Sequence, residues 1–242
     1  MKTVGFSDIG NRRSKNEDAF RFGSIEGEVV WAVVCDGMGG AAGGTVASNC
    51  AVDIISEKIE KCYNKSMGEK SIENLLLSAI TTANVAIYDR ADSDMNLSGM
   101  GTTVVACIIR NSVATIAHVG DSRAYLVSDN KITQITKDHS LVQEMLDSGE
   151  ITIDEFKNHP NKNIITRALG VGEKIDIDFD TLDVKENDVI ILCTDGLSGC
   201  VSEEEMFEIL KNIEFEKLAT AYINEANHHG GPDNITVVAV KC

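Results

Sequence analysis

The sequence predicts an α+β fold in which stacked β-sheets are flanked by helices. Nine short segments rich in β-branched residues and bounded by Gly, Asn or Asp are typical of strands, and two long segments carry apolar residues along one face at helical spacing. Short loops between successive strands favour antiparallel sheets, and a helix with one apolar face buries that face against a sheet. Because 43% of the 242 residues are hydrophobic and no Pro/Ser-rich linker interrupts them, we expect a single domain over residues 1–242.

The strands are predicted at residues 2–7, 29–35, 102–109, 113–119, 124–128, 131–135, 175–182, 189–193 and 235–240. The long helices are predicted over 45–63 and 72–89, shorter helices over 141–147 and 218–227, and another after a capping box of Ser202 and Glu205. Residues 150–173 mix charges, a proline and asparagines with little periodicity. A segment of this length without regular structure is typical of a mobile functional loop or of disorder.

Composition restricts the partners of the chain. A formal net charge of −16 excludes nucleic acid, whose binding requires a basic patch, whereas it suits metal cations or basic protein segments. The longest apolar run, residues 29–35, is too short to cross a membrane, and charges stand where a signal peptide needs apolar residues. We therefore expect a cytoplasmic protein without a membrane partner. Seven cysteines without a C-x-x-C pair indicate buried reduced thiols rather than disulfides or a zinc site.

Three aspartates stand at the ends of predicted strands. Asp36 follows the strand in "VVWAVVCDGMGG", Asp195 follows the strand in "VIILCTDGLSG", and Asp233 precedes the strand in "GGPDNITVVAV". If these strand ends meet at one edge of the sheets, the carboxylates repel one another unless a cation compensates, and hard oxygen ligands select Mg²⁺ or Mn²⁺. The alternative of three separate structural turns stays open, because Asp-Gly is among the commonest turn dipeptides.

Other polar residues are weaker candidates. Glu17 and Asp18 in "SDIGNRRSKNEDAF" are further carboxylates, and Arg13 is a planar donor suited to two phosphate oxygens, although a solvated loop explains them as well. Asp121 in "AHVGDSRAY" follows another buried strand, where a hairpin corner is an equal explanation. The five histidines lack zinc-ligand spacing, and we expect ordinary loop or helix-end residues.

Eight motifs in order carry a family resemblance. They are "DIGNRRSKNED", "VVCDGMGG", "GMGTTVV", "HVGDSRAY", "TKDHS", "IITRALG", "LCTDGL" and "DNITVV", and they span nearly the whole chain. Together they resemble the successive motifs of the metal-dependent protein phosphatases (PPM family, type 2C).

The resemblance implies a four-layer αββα sandwich, in which two packed antiparallel sheets carry a pair of helices on each outer face. It also implies a binuclear metal centre. Asp36 resembles the carboxylate that bridges the two metal ions, and Gly37 resembles the residue that supplies a backbone carbonyl ligand. Asp195 and Asp233 resemble the remaining direct ligands.

Further residues take roles by the same resemblance. Arg13 matches the phosphate-binding arginine, and residues 150–173 match the flap of the family. Glu17 and Asp18 fall where the family holds metal-bound waters. Asp121 matches an aspartate that helps bind a third, weaker metal ion in bacterial members.

The implied activity is metal-dependent hydrolysis of phosphoserine and phosphothreonine in proteins by a metal-bridging hydroxide. It implies two tightly bound Mn²⁺ or Mg²⁺ ions and allows a third, in a monomer that opposes a cytoplasmic Ser/Thr kinase. Two cations about 4 Å apart acidify a water and neutralise developing charge, so no protein nucleophile is required. Consistently, no cysteine is followed six residues later by arginine, as thiol-based phosphatases require. One departure is Met38, which stands where eukaryotic members often have a histidine proposed as general acid, and methionine cannot donate a proton.

Two alternatives remain beside a general phosphoprotein phosphatase. The first is a catalytically inactive relative that only binds phosphoproteins or a signalling partner, which would be expected to lose at least one of Asp36, Asp195 and Asp233. The second is a phosphatase specialised for a sporulation or sigma-factor regulator, which shares the chemistry and differs in substrate.

Overall fold

Within residues 1–157 and 159–242, the part of the chain that the computed structural model describes, eleven strands form two antiparallel sheets. Residue 158, inside the predicted flap, lies outside that description, as do the side chains of residues 40–42 and 157. In the order of the first sheet, the strands are β1 (Lys2–Asp8), β11 (Ile235–Lys241), β10 (Val189–Cys193), β7 (Arg123–Ser128) and β8 (Lys131–Gln134). In the order of the second, they are β2 (Asp18–Ile25), β3 (Val29–Met38), β5 (Val104–Arg110), β6 (Val113–Val119) and β9 (Asp178–Asp183), with β4 (Gly101–Thr102) paired to the end of β3.

The helices connect these strands and cover the sheets. They are α1 (Gly40–Cys62), α2 (Glu69–Ser93), α3 (Leu141–Asp147), α4 (Ile153–Lys157), α5 (Asp195–Ser198), α6 (Glu203–Asn212) and α7 (Leu218–His228). The capping box predicted at the start of α6 is confirmed: the backbone N–H of Glu205 donates to Ser202 Oγ at 3.3 Å, and the backbone N–H of Ser202 donates to Glu205 Oε2 at 2.8 Å.

Alternation along β3 explains the layers. Trp31 and Val33 face α1 and α2 in one apolar cluster, whereas Val34 points into a second cluster between the two sheets. A third cluster packs α6 and α7 on the outer face of the first sheet around Tyr222. Since successive strand residues point to opposite faces, each sheet buries both sides. The predicted αββα sandwich of two antiparallel sheets flanked by helix pairs is confirmed.

Agreement is best for two strands and one short helix. The predicted elements at 113–119, 141–147 and 189–193 coincide with β6, α3 and β10. Strand β2 is not among the predicted strands, because this edge strand is interrupted by Arg21 and Gly23 and is only partly buried. The strand predicted at 102–109 is divided at Thr103, whose backbone N–H donates to the carbonyl of Asp36 at 2.9 Å.

Three further expectations need correction. Residues 150–173 contain the short helix α4, so they are not wholly irregular. His118 lies buried within β6 rather than in a loop or at a helix end. The seven cysteines are free thiols, as predicted, but Cys62 is exposed and three others are only half-buried.

No helix in the described ranges combines the length and the apolar character that a membrane crossing needs.

Candidate metal centre

Strand pairing brings the ends of both sheets together. β10 and β11 are antiparallel neighbours, so Asp195 after β10 and Asp233 before β11 lie at the same end of the first sheet. β7 pairs with β10 on its other side, and this places Asp121, two residues before β7, at that end as well. In the second sheet Asp18 is directly opposite Asp36 in the β2–β3 register.

Asp18 joins the two sheets at this end. Its Oδ2 accepts hydrogen bonds from the side-chain hydroxyl of Thr194, directly after β10, at 2.9 Å and from that of Thr236, in β11, at 2.7 Å. Its other oxygen, Oδ1, is buried without a hydrogen-bond partner among the described residues, and the same holds for Oδ1 of Asp195. Buried polar atoms are normally satisfied, so these two carboxylate oxygens fit a role as ligands of a cation.

The electrostatics of the cluster also favour a cation. Burial raises the pKa of Asp36 well above its ordinary value, and repulsion from Asp18 and Asp195 adds to the increase. Burial likewise raises the pKa of Asp18 to about 7, against the hydrogen bonds from Thr236 and Thr194. Burial and then the charge of Asp233 raise the pKa of Asp195. Carboxylates this close are stable in their ionised form when a cation neutralises them, and an all-oxygen donor set fits Mg²⁺ or Mn²⁺.

Gly37 lies where a side chain has no room. A Cβ at this position would be 2.2 Å from the carbonyl oxygen of Gly44 and 2.6 Å from that of Glu17. The backbone N–H of Gly37 donates to the same Glu17 carbonyl at 3.2 Å. The glycine therefore allows α1 and the segment before β2 to pack closely around the end of β3.

Arg13 reaches the cluster from the loop between β1 and β2. Its Nη2 lies 2.6 Å from Asp233 Oδ2, and half of its side-chain surface is exposed. The guanidinium is thus both adjacent to the carboxylates and accessible to a phosphate group from solvent. Glu17, in the same loop, is half-buried, and a Cβ on Gly44 would be 2.7 Å from its Oε1.

Asp121 lines a cavity of about 270 Å³ beside the cluster. Burial raises its pKa to about 7, and the charge of Asp195 adds to that increase. The cavity is also lined by Phe156 and Lys162 from residues 150–173, so this segment lies beside the carboxylates.

Several residues around the centre were missed from the sequence. Asp138 also lines the cavity, but Arg123 engages it through three hydrogen bonds of 2.6 to 3.1 Å, so its charge is already compensated. A detectable signal did exist for Thr236, which is a polar residue inside the apolar run "ITVVAV". No comparable signal marks Arg123 and Asp138, because their pairing depends on how β7 meets the segment after β8.

A second group of ligand-type side chains, His118, His139 and Asp178, has three of its four ring nitrogens engaged, whereas His118 Nδ1 is buried without a hydrogen-bond partner among the described residues. His118 Nε2 lies 2.9 Å from the carbonyl oxygen of Lys137, which assigns it the proton. His139 Nδ1 accepts from the backbone N–H of Gly120 at 3.1 Å, so its Nε2 carries the proton and faces Asp178 Oδ2 at 3.2 Å. In this tautomer His139 offers no lone pair to a cation beside Asp178.

Comparison with known proteins identifies the family of the chain. The family model described as Protein phosphatase 2C matches residues 9–229. The chain belongs to the protein phosphatase 2C family. This membership makes it a hydrolase of the protein-serine/threonine phosphatase class and a metal-binding protein.

Individual members of the protein phosphatase 2C family resemble the chain over nearly its full length. The serine/threonine phosphatase stp of Listeria welshimeri is 42% identical over 236 residues, covering 97% of this chain and 93% of the relative. The crystal structure of Stp1 from Staphylococcus aureus has a TM-score of 0.93 at 32% identity and covers 100% of this chain and 94% of its own. The catalytic domain of PstP in complex with two manganese ions has a TM-score of 0.87 at 33% identity, covering 99% of this chain and 97% of its own.

Proposed function

We propose that this protein hydrolyses phosphoserine and phosphothreonine in proteins with two tightly bound Mn²⁺ or Mg²⁺ ions. The observation that carries the proposal is the convergence of buried carboxylates from both sheets, with orphaned oxygens on Asp18 and Asp195, beside the exposed guanidinium of Arg13. In this proposal residues 1–242 form one phosphatase domain with a flap at residues 150–173.

The ligands of the two ions would be the carboxylates of Asp36, Asp195 and Asp233 and the backbone carbonyl of Gly37. When bound, the ions would lower the pKa of water and neutralise charge that develops on the phosphoryl group. Phosphate monoesters hydrolyse so slowly without a catalyst that enzymes accelerate them by up to about 10²¹-fold, which makes such charge compensation necessary.

The side chains have separate tasks in this proposal. Arg13 binds two oxygens of the phosphoryl group and orients it towards the carboxylates, as a planar guanidinium is suited to do. Asp18, held by Thr194 and Thr236, and Glu17 orient water at the centre. Met38 cannot donate a proton, so the leaving oxygen receives its proton from water or from another group.

The substrates are phosphorylated proteins, and we propose that the enzyme opposes a Ser/Thr kinase as a cytoplasmic monomer. The relatives named serine/threonine phosphatase support this class of substrate. An inactive phosphoprotein-binding relative is disfavoured, because none of the three candidate ligand aspartates is replaced and the orphaned oxygens are retained. A phosphatase specialised for a sporulation or sigma-factor regulator would use the same chemistry and differ only in its substrate.

Metal-dependent turnover of a phosphothreonine peptide tests the proposal. We expect hydrolysis with Mn²⁺ or Mg²⁺, its reversible loss in excess chelator, and its loss in Asp195→Asn. The matched control is Asp53→Asn, which removes a carboxylate whose side chain is 61% exposed on α1, and it should retain activity. Full turnover in excess chelator, or in Asp195→Asn, would contradict the two-metal mechanism.

A further inference from the structure

Asn234 is a buried amide that contacts both ends of the loop carrying Arg13. It lies between Asp233 and β11 and is 5% exposed. Its Nδ2 donates to the backbone carbonyl oxygens of Ile9 and Lys15, each at 2.9 Å. Its Oδ1 accepts from the backbone N–H of Glu17 at 2.8 Å. One side chain thus links the two ends of the segment 9–17 by hydrogen bonds.

Only one orientation of this amide satisfies its neighbours. A flipped side chain would place its oxygen against two carbonyl oxygens and its NH₂ group against the N–H of Glu17. An asparagine has two donors and one acceptor oxygen with two lone pairs, and the observed orientation uses both donors. The contact is therefore specific for an amide of this length.

The backbone of Asn234 contacts Asp233, the carboxylate that pairs with Arg13. Its N–H donates to Asp233 Oδ1 at 2.8 Å, and the remaining oxygen of Asp233 lies 2.6 Å from Arg13 Nη2. The loop of Arg13 also packs directly against Asp233, since a Cβ on Gly10, which has a φ of 76°, would be 2.0 Å from the carbonyl oxygen of Asp233. Asn234 therefore restrains Asp233 through its backbone and the loop of Arg13 through its side chain.

The loop itself supplies little apolar anchorage, because residues 11–15 are all exposed. Its conformation depends on hydrogen bonds instead. If the loop moved freely, the long side chain of Arg13 would be positioned for binding in a smaller fraction of the molecules.

We propose that Asn234 is a positioning residue that fixes the distance between the phosphate-binding guanidinium of Arg13 and the carboxylate of Asp233. This inference rests on the proposed function of Arg13. Substitution of Asn234 should weaken phosphate binding through Arg13 while the chain still folds and still binds two metal ions.

The test uses Asn234→Asp and a matched control. Asn234→Asp preserves size and the acceptor towards Glu17 but places an oxygen against the carbonyls of Ile9 and Lys15. Asn84 has the same pattern elsewhere: it is fully buried, donates to the carbonyls of residues 172 and 173 at 2.9 and 3.2 Å, and accepts from the N–H of residue 170 at 2.8 Å. Asn84→Asp therefore matches the loss of stability without touching the loop of Arg13.

Inorganic phosphate is the probe. Its affinity is measured with Mn²⁺-loaded protein by calorimetry, together with Mn²⁺ stoichiometry, in wild type, both asparagine variants, Arg13→Ala and the double variant. We expect Asn234→Asp to weaken phosphate about tenfold, as for the loss of a contact to a charged group, and to add almost nothing in the Arg13→Ala background. Asn84→Asp should bind phosphate as wild type does.

Wild-type phosphate affinity in folded Asn234→Asp, or losses that multiply in the double variant, would overturn the proposal. If Asn234→Asp does not fold, Asn234→Ser, which retains one donor and one acceptor, should show an intermediate loss, and its absence would likewise refute the role. Phosphopeptide turnover by the wild type is measured separately. A chain that binds phosphate through Arg13 but shows no turnover would contradict the proposed function and leave the positioning role standing.

Discussion

Arg13 is placed to exchange one anionic partner for another. Its guanidinium contacts Asp233 at 2.6 Å while half of the side chain faces solvent, so a phosphoryl group can reach it. We predict that Arg13→Ala lowers kcat/KM for a phosphopeptide roughly 10- to 100-fold, the effect of losing charge-assisted hydrogen bonds, and leaves metal affinity nearly intact. Arg12→Ala removes the same charge from the neighbouring residue and is the control. Equal kcat/KM in wild type and Arg13→Ala would reject the phosphate-binding role.

Substitution of Asp121 distinguishes two roles of this residue, as a ligand of a third metal ion or as a structural residue of a turn. Asp121 is buried, its pKa is raised to about 7, and it shares a cavity with Asp195. A carboxylate with mostly water co-ligands binds a divalent cation loosely. We predict that Asp121→Ala folds normally, keeps two tightly bound ions and loses most phosphopeptide turnover. Thermal stability, metal stoichiometry and kcat across a Mn²⁺ titration provide the measurement. Activity that stays at the wild-type level at every concentration, or that declines only together with the fold, would leave Asp121 as a turn residue.

At the scale of elements, the ion pair of Arg123 and Asp138 fastens β7 to the segment between β8 and α3. Its side chains are 22% and 8% exposed, and Arg123 also donates to the hydroxyl of Tyr125 at 3.1 Å. We predict that Arg123→Ala reduces the free energy of unfolding by about 3–5 kcal/mol, because it leaves a buried carboxylate without its partner. Chemical denaturation measures this difference.

Arg21→Ala is the matched control for that experiment. Arg21 on β2 pairs with Asp53 on α1 at 2.6 Å, but these side chains are 51% and 61% exposed. An exposed pair contributes about 0–1 kcal/mol, so this variant should remain close to wild type. Similar losses in both variants would show that burial does not decide the strength of the Arg123–Asp138 pair.

At the scale of the whole molecule, the carboxylate cluster joins the two sheets and makes stability depend on pH and metal together. Burial raises the folded-state pKa of Asp18 and of Asp121 from 3.8 to about 7. Between these values the folded metal-free protein holds more protons than the unfolded chain, so this contribution to stability is present at low pH and is lost as pH rises through 7. A bound cation removes the penalty of ionisation.

We therefore predict that Mn²⁺ raises Tm more at pH 8 than at pH 5.5. The measurement is the difference in Tm between Mn²⁺ and chelator at each pH, because groups outside the cluster contribute equally to both conditions and cancel. Asp36→Asn, which removes one carboxylate of the cluster, should show a smaller difference at pH 8. The same Tm with Mn²⁺ as with chelator at both pH values would contradict a cation site that links the sheets.

Elements with strong local patterns are predictable from the amino-acid sequence. Apolar runs defined β6 and β10 to the residue, the spacing of apolar residues defined the long helices to within a few residues, and Ser202 with Glu205 defined the start of α6. The apolar runs also indicated that Asp195 and Asp233 flank strands, whereas Asp36, predicted directly after a strand, lies inside β3, which continues to Met38. These features depend on side-chain periodicity and backbone preference within a few residues, and a single sequence displays them directly.

Which strand ends meet, and which residues surround them, depends on contacts between residues that are distant in sequence. Asp18 accepts hydrogen bonds from residues 176 and 218 positions away, and Asn234 closes a loop more than 200 residues before it. β2 becomes a strand because β3 supplies its hydrogen bonds, although its own pattern is interrupted. Such contacts arise from sheet register and from packing of the two sheets, in which residues distant in sequence satisfy one another's buried polar groups, and no local pattern records that pairing.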